Sequence, residues 1–113
     1  MNSTTQYVLK GSLSVIILKL LEERERMYGY EITQQVKVLT AGEMTITEGA
    51  LYPALHKLEA EGLLTTTTEV VEGRARKYYS LTKDGQQQTV SRVSELRAFM
   101  DNLNTILNLK PAL

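Results

Sequence analysis

The feature that most constrains this chain is a short segment, residues 47–64, in which both ends of a helix are marked. Thr47 offers a hydroxyl to the free N–H groups of a first turn, and Gly62 suits the left-handed position just past a helix end. Between them, leucines recur at a spacing of three or four residues, so one side of the helix faces a core. The opposite side is slim at its start and polar or aromatic beyond, which favours a helix that enters a groove of DNA. These positions are Thr47, Glu48, Gly49, Tyr52, Pro53, His56 and Lys57.

The formal net charge is zero, because 13 Lys and Arg residues balance 13 Asp and Glu residues. Binding to nucleic acid would therefore depend on local clusters of basic residues. A hydrophobic content of 42% over 113 residues predicts one folded domain, or one domain with an appendage. The absence of cysteine excludes disulfides and thiolate metal sites and fits a reducing cytoplasm. Lys19 interrupts the apolar run at residues 13–21, which is shorter than the roughly 20 residues that cross a bilayer. We therefore expect a cytoplasmic protein without a membrane segment.

The order of the elements predicts a winged helix. Apolar residues at helical spacing predict a first helix from about Leu9 to Arg24. Its apolar surface is wide enough to pack against its own domain on one side and against a second subunit on the other. A second helix at residues 29–39, with Ile32, Val36 and Leu39 facing inward, is joined by a short loop to the segment at 47–64, and the pair forms a helix-turn-helix. Residues 64–71 and 75–81 favour strands and flank a turn at 72–73. The fold class is α+β, mostly helical.

A long C-terminal helix, from about Thr82 to Leu109, carries more apolar surface than a small domain can cover. Its apolar residues alternate spacings of three and four, as in a coiled coil, and a helix of about 25 residues is roughly 38 Å long. We expect residues 1–81 to form the DNA-binding domain and residues 82–113 to form a dimerisation helix. The expected subunit contacts are Leu9, Leu13, Ile16, Ile17, Val93, Leu96, Phe99, Met100, Leu103, Ile106 and Leu107.

The predicted hairpin has a basic tip, formed by Arg74, Arg76 and Lys77 beside Tyr78. An arbitrary hairpin with these residues would be a solvated turn. After a helix suited to a DNA groove, we interpret it as a wing that contacts phosphates or the minor groove. His56 is the sole histidine, and no nucleophile, base or metal-ligand pattern accompanies it. We therefore expect neither an enzyme nor a cofactor, and a winged helix used for protein–protein contact is the main alternative.

These motifs together resemble the PadR family of bacterial transcriptional regulators. The matching residues are Tyr28-Gly29-Tyr30-Glu31-Ile32, Glu48-Gly49-Ala50-Leu51-Tyr52-Pro53-Ala54-Leu55, Leu58-Glu59, Gly62-Leu63, the wing Gly73-Arg74-x-Arg76-Lys77-Tyr78-Tyr79-x-Leu81-Thr82, and Gly85. The resemblance covers nearly the whole chain and is closest to the branch with a single terminal helix. We expect DNA contacts from Tyr30, Thr47, Glu48, Gly49, Tyr52, Pro53, His56, Lys57, Arg74, Arg76, Lys77 and Tyr78.

The resemblance also implies a homodimeric repressor that binds a pseudo-palindromic operator in double-stranded DNA. The C-terminal helix of one subunit is expected to contact the N-terminal helix of the other. Some family members release DNA when a phenolic or multidrug ligand binds between the subunits, which makes a small hydrophobic or aromatic effector a possible partner here. Drug-sandwiching relatives use a tryptophan in the terminal helix, whereas this chain has none and offers Phe99 instead. A repressor without any ligand remains an alternative.

Overall fold

The computed structural model describes residues 3–108, with side chains described from Ser12 onward. Four helices and three strands follow one another as a winged helix with an added terminal helix, which confirms the predicted fold class. They are α1 (Ser3–Glu23), β1 (Met27–Tyr28), α2 (Gly29–Leu39), α3 (Glu48–Ala60), β2 (Leu64–Val71), β3 (Arg74–Leu81) and α4 (Lys83–Leu107). Helix α1 begins at Ser3, so its start was predicted about six residues too late.

Both ends of α3 are closed by the residues that mark them in the sequence. The Ala50 N–H donates to the Thr47 hydroxyl at 3.2 Å. At the other end, Gly62 has a φ of +80°, and its N–H donates to the carbonyl of Glu59 at 3.0 Å. The next N–H, from Leu63, donates to the carbonyl of Leu58 at 3.0 Å. These two bonds form a Schellman motif, which fixes where the helix stops and the wing begins.

The three strands form one antiparallel sheet in the order β1-β3-β2. Strand β1 is not among the elements predicted from the sequence, because two residues are too few to show an alternating pattern. It pairs only with Tyr78 and Tyr79, so the hairpin of β2 and β3 extends beyond it. The hairpin turn is made by Glu72 and Gly73, both with positive φ (51° and 78°). A two-residue turn of this kind matches the twist of the flanking strands.

The core lies between α1, α2, α3 and the inner face of the sheet. Its fully covered side chains include Ile17, Leu18, Met27, Ile32, Leu51, Leu55, Leu58 and Tyr79. Leu13 and Ile17, two of the predicted subunit contacts, are 4% and 0% exposed within the chain's own core. Leu39 was predicted to face inward but is 64% exposed, because it is the last residue of α2, three residues past buried Val36.

Helix α4 is fastened to the wing at its first turn. The Thr82 hydroxyl accepts from the Gly85 N–H at 2.9 Å and donates to the Gly62 carbonyl at 2.7 Å. The Thr82 N–H donates to the Leu63 carbonyl at 3.0 Å. A side chain at Gly85 would overlap that same carbonyl, so only glycine allows this approach. The helix ends at Leu107 and is followed by Asn108, which has a left-handed conformation.

Candidate nucleic-acid interface

The outer side of α3 has the exposure that its sequence predicts. Leu51, Leu55 and Leu58 are buried, whereas the polar and slim positions on the other side are exposed. Helix α3 therefore presents a continuous surface along its length. The exposed positions are Thr47, Glu48, Gly49, Tyr52, Pro53, His56 and Lys57.

Tyr52 does not extend straight outward from α3 but lies against the start of α2. A Cβ built on Gly29 would be 2.6 Å from the Tyr52 hydroxyl oxygen and 3.0 Å from Cζ. Gly29 therefore provides the space in which this ring lies, while 37% of the Tyr52 surface stays exposed. The glycine joins the two helices of the helix-turn-helix through this contact, a role that the sequence alone did not assign to it.

The basic residues of the wing are divided between the two faces of the sheet, because neighbours along a strand point in opposite directions. Lys77 shares the inner face with buried Tyr79. Its Nζ lies 3.7 Å from Glu59 Oε1 of α3 and 5.4 Å from the centre of the Tyr79 ring. Arg76 and Tyr78 lie on the outer face. Arg74 and Arg76 therefore leave the strand on one face and Lys77 leaves it on the other.

The outer face of the sheet carries a cluster of two arginines and two tyrosines. The Arg76 guanidinium carbon lies 4.1 Å from the centre of the Tyr28 ring, and that of Arg26 lies 4.1 Å from the centre of the Tyr78 ring. The two rings meet edge to face, with centres 5.5 Å apart. Arg26 also binds Glu69 through two hydrogen bonds of 2.6 and 3.1 Å. We refer to Arg26, Tyr28, Arg76 and Tyr78 as the aromatic–arginine cluster.

The charges of this cluster are tied to its hydrogen bonds. The bond from Arg26 holds the pKa of the Glu69 carboxyl below its ordinary value. A hydrogen bond with Tyr78 raises the pKa of Arg76. The guanidinium of Arg76 is a permanent cation of the kind that binds phosphate.

A cleft of about 720 Å³ separates α3 from the tip of the wing. Tyr52 and His56 line its helix side, and Arg74, Arg76 and Lys77 line its wing side. Gly49, Pro53 and Lys57 line a second groove, of about 580 Å³, between α1, α3 and α4. The structure thus brings five of the predicted DNA-binding residues around one cleft and places three others on the far flank of the same helix.

Comparison with known proteins decides the family. Residues 17–91, more than half of the chain, match the transcriptional regulator PadR-like family. The chain belongs to the PadR family. A transcriptional regulator from Mycobacterium tuberculosis is 42% identical over 60 residues, which are 53% of each protein. An uncharacterised protein from Lysinibacillus sphaericus is 33% identical over 98 residues, covering 83% of this chain and 89% of that protein.

Solved structures agree with the PadR assignment. A transcriptional regulator from Clostridium thermocellum superposes with a TM-score of 0.80 at 31% identity, over 87% of this chain and 95% of that one. A PadR family regulator from Eggerthella lenta also gives 0.80, at 26% identity, over 96% and 92%. PadR family members are transcriptional regulators and not enzymes, so this chain is a PadR-like regulator with a winged-helix DNA-binding fold. No helix in residues 3–108 is long and apolar enough to cross a membrane.

The remaining residues predicted to contact DNA or a second subunit differ in how exposed they are. Tyr30 is 60% exposed on α2 and stacks at 6.4 Å from Tyr28. Phe99, Met100, Ile106 and Leu107 are each more than half exposed on α4. Ile16, Val93, Leu96 and Leu103 are half-buried, and Leu9 lies outside the described side chains.

Sequence reasoning missed the contributions of Arg26, Glu59 and Glu69 to this surface. The alternation of Arg74, Arg76 and Tyr78 along one strand could have shown which side chains share a face. Nothing local to Arg26 pointed to a partner 43 residues away.

Proposed function

We propose that this PadR protein is a homodimeric, sequence-specific repressor that inserts α3 into the major groove of DNA. The observation that carries the proposal is the cleft that places Tyr52 and His56 of α3 beside Arg74 and Arg76 of the wing. Side chains on a slim helix can reach base edges, while arginines at its flank neutralise phosphates. Glu48, at the exposed start of the helix, can accept a hydrogen bond from a cytosine amino group.

The exposed apolar residues on the second half of α4 support the proposed dimer. Phe99, Ile106 and Leu107 are 57%, 76% and 59% exposed in the single chain. Such a stripe at coiled-coil spacing is covered most simply by a second copy. In this proposal residues 1–81 bind DNA and residues 82–113 hold the two copies together. The dimer would place two α3 helices about 34–36 Å apart, one turn of a pseudo-palindromic operator.

The same interface is where an effector would act. A small hydrophobic or aromatic molecule bound beside Phe99 would change the angle between the two DNA-binding units and so lower operator affinity. A dimer with no such ligand would repress constitutively. We place the protein in the cytoplasm, where it has access to the chromosome.

The test is a binding measurement on DNA selected from a random pool by the wild-type protein. Affinity should fall steeply as salt rises, with a log–log slope of about −0.9 per phosphate contact. Arg76→Ala should weaken binding and reduce the slope by about 1. Arg97→Ala is the matched control, because Arg97 is exposed on α4, away from the wing.

Two results would overturn the proposal. If no sequence is enriched in the selection, the alternative of a winged helix that binds another protein is favoured, in keeping with the zero net charge. If Arg76→Ala and Arg97→Ala have equal effects on affinity and slope, the wing does not contact phosphate.

A further inference from the structure

The aromatic–arginine cluster has an arrangement that its strand register alone would not produce. Arg76 lies directly opposite Glu69 across the β2–β3 pair. Opposite charges at directly facing positions ordinarily pair. Glu69 instead accepts two hydrogen bonds, of 2.6 and 3.1 Å, from Arg26, which precedes β1. A bidentate pair of this kind is the strong form of an arginine–carboxylate contact.

Arg76 is thereby directed to Tyr28 and away from Glu69. Its guanidinium carbon is 4.1 Å from the ring centre, close enough for a cation–π contact. Stacking uses the flat face of the guanidinium. Apart from the hydrogen bond with Tyr78, it leaves the N–H groups at the rim, which are the groups that bind phosphate oxygens. An arginine paired with a carboxylate would present those same N–H groups to the protein and would lose much of its attraction for DNA.

The Tyr28 ring is itself held in place. It lies on β1 opposite Tyr78 of β3, and the two rings contact edge to face. Tyr78 carries Arg26 on its ring, at 4.1 Å. The order along the sheet is therefore Arg76, Tyr28, Tyr78, Arg26, and Arg26 ends on Glu69. Each member limits the movement of the next.

We propose that Tyr28 and Arg26 are positioning residues for Arg76: Tyr28 holds its guanidinium plane, and Arg26 keeps Glu69 from pairing with it. This inference rests on the proposed contact between Arg76 and DNA. A wing whose arginine is oriented before binding loses less side-chain freedom when DNA arrives, so the contact gains affinity.

The first test is a double-mutant cycle between positions 28 and 76, using the selected DNA and the full chain. Tyr28→Leu should weaken binding about 3- to 10-fold, the range expected of a cation–π contact at a partly exposed site. Tyr28→Phe, which keeps the ring, should bind within about 2-fold of wild type. In the Arg76→Ala background, Tyr28→Leu should cause no further loss. Thermal unfolding of each variant reports any loss of fold separately.

The second test uses exposed residues whose replacement leaves the core intact. Arg26→Gln frees Glu69 to pair with Arg76 and should weaken DNA binding. Adding Glu69→Gln should restore affinity, and the gain from Glu69→Gln should be larger in the Arg26→Gln protein than in wild type. If Arg26 merely contacted phosphate, Glu69→Gln would give the same gain in both backgrounds, and this part of the inference would be wrong.

The outcomes separate this inference from the proposed function. If Arg76→Ala has no effect on affinity, the wing assignment fails and the positioning inference fails with it. If Arg76→Ala weakens binding but Tyr28→Leu costs the same with and without Arg76, the regulator still binds DNA through its wing and Tyr28 does not position Arg76.

Discussion

The two halves of α4 differ sharply although they belong to one continuous helix. The first half is tied to the winged domain: Gly85 and Thr89 are buried, and Thr82 is hydrogen-bonded to both Gly62 and Leu63. The second half leaves Phe99, Met100, Ile106 and Leu107 more than half exposed. The comparison teaches that the first half serves the fold, whereas the second half is free to form the contacts of the proposed dimer.

The largest effect should come from placing charged residues on the second half of α4, which should weaken the proposed dimer. Met100→Glu with Ile106→Glu puts two carboxylates on the apolar stripe and should raise the dimer dissociation constant on the order of 100-fold, because an interface centre tolerates unpaired charge poorly. Sedimentation at micromolar concentration would show monomers with an unchanged circular dichroism spectrum. Ala98→Glu, an exposed position on another side of the helix, is the matched control. A double variant that stays dimeric would remove the distinction between the halves.

A change in the first half should affect folding instead of assembly. Gly85→Ala places a methyl group on the Leu63 carbonyl, and an overpacked site of this kind costs about 1–3 kcal/mol of unfolding free energy. Gly49→Ala is the matched control in α3, where the nearest atom to a new Cβ is Thr47 Oγ1 at 4.0 Å. That variant should be stabilised by about 0.5–1 kcal/mol, because alanine favours a helix over glycine. Equal unfolding temperatures for the two variants would contradict the close contact at Gly85.

A smaller loss should follow from removing the cap of α4. Thr82→Val deletes the hydroxyl that binds the Gly85 N–H and the Gly62 carbonyl, and should cost about 1–2 kcal/mol. Thr47→Val in α3 removes a single cap bond and should cost less, about 1 kcal/mol. Urea unfolding of both variants measures the difference, and a larger loss for Thr47→Val would show that the junction of wing and α4 is not stabilised as described.

The smallest effect concerns pH and should be confined to the winged domain. Because the pKa of Glu69 is lowered in the folded protein, its ion pair with Arg26 stabilises the fold above the ordinary carboxyl value of 4.5. That stabilisation is lost as the pH falls through the lower folded value. Glu69→Gln should therefore flatten the pH dependence of unfolding below about pH 4.5 without changing the dimer constant. A Glu69→Gln protein with the same acid profile as the wild type would argue against this ion pair.

Element types were largely predictable because the signals that mark them are local. The cap at Thr47, the glycine at the end of α3 and the turn at Glu72 and Gly73 each act within a few residues and are present as predicted. Strand β1 escaped prediction because only its pairing with β3 makes it a strand. The exposure of Leu39 was not predicted, because helical spacing does not show where the neighbouring elements end.

The sequence by itself determined the order of the winged-helix elements, the family and which residues of α3 face outward, since these depend on spacing and on residue type. Only the tertiary structure decided which side chains meet: Tyr52 with Gly29, Lys77 with Glu59, and Arg26 with Glu69. It also decided that Leu13 and Ile17 are buried in the core of their own chain. Such contacts join residues far apart in the chain, and they are set by how elements pack and by strand register, which no local pattern records.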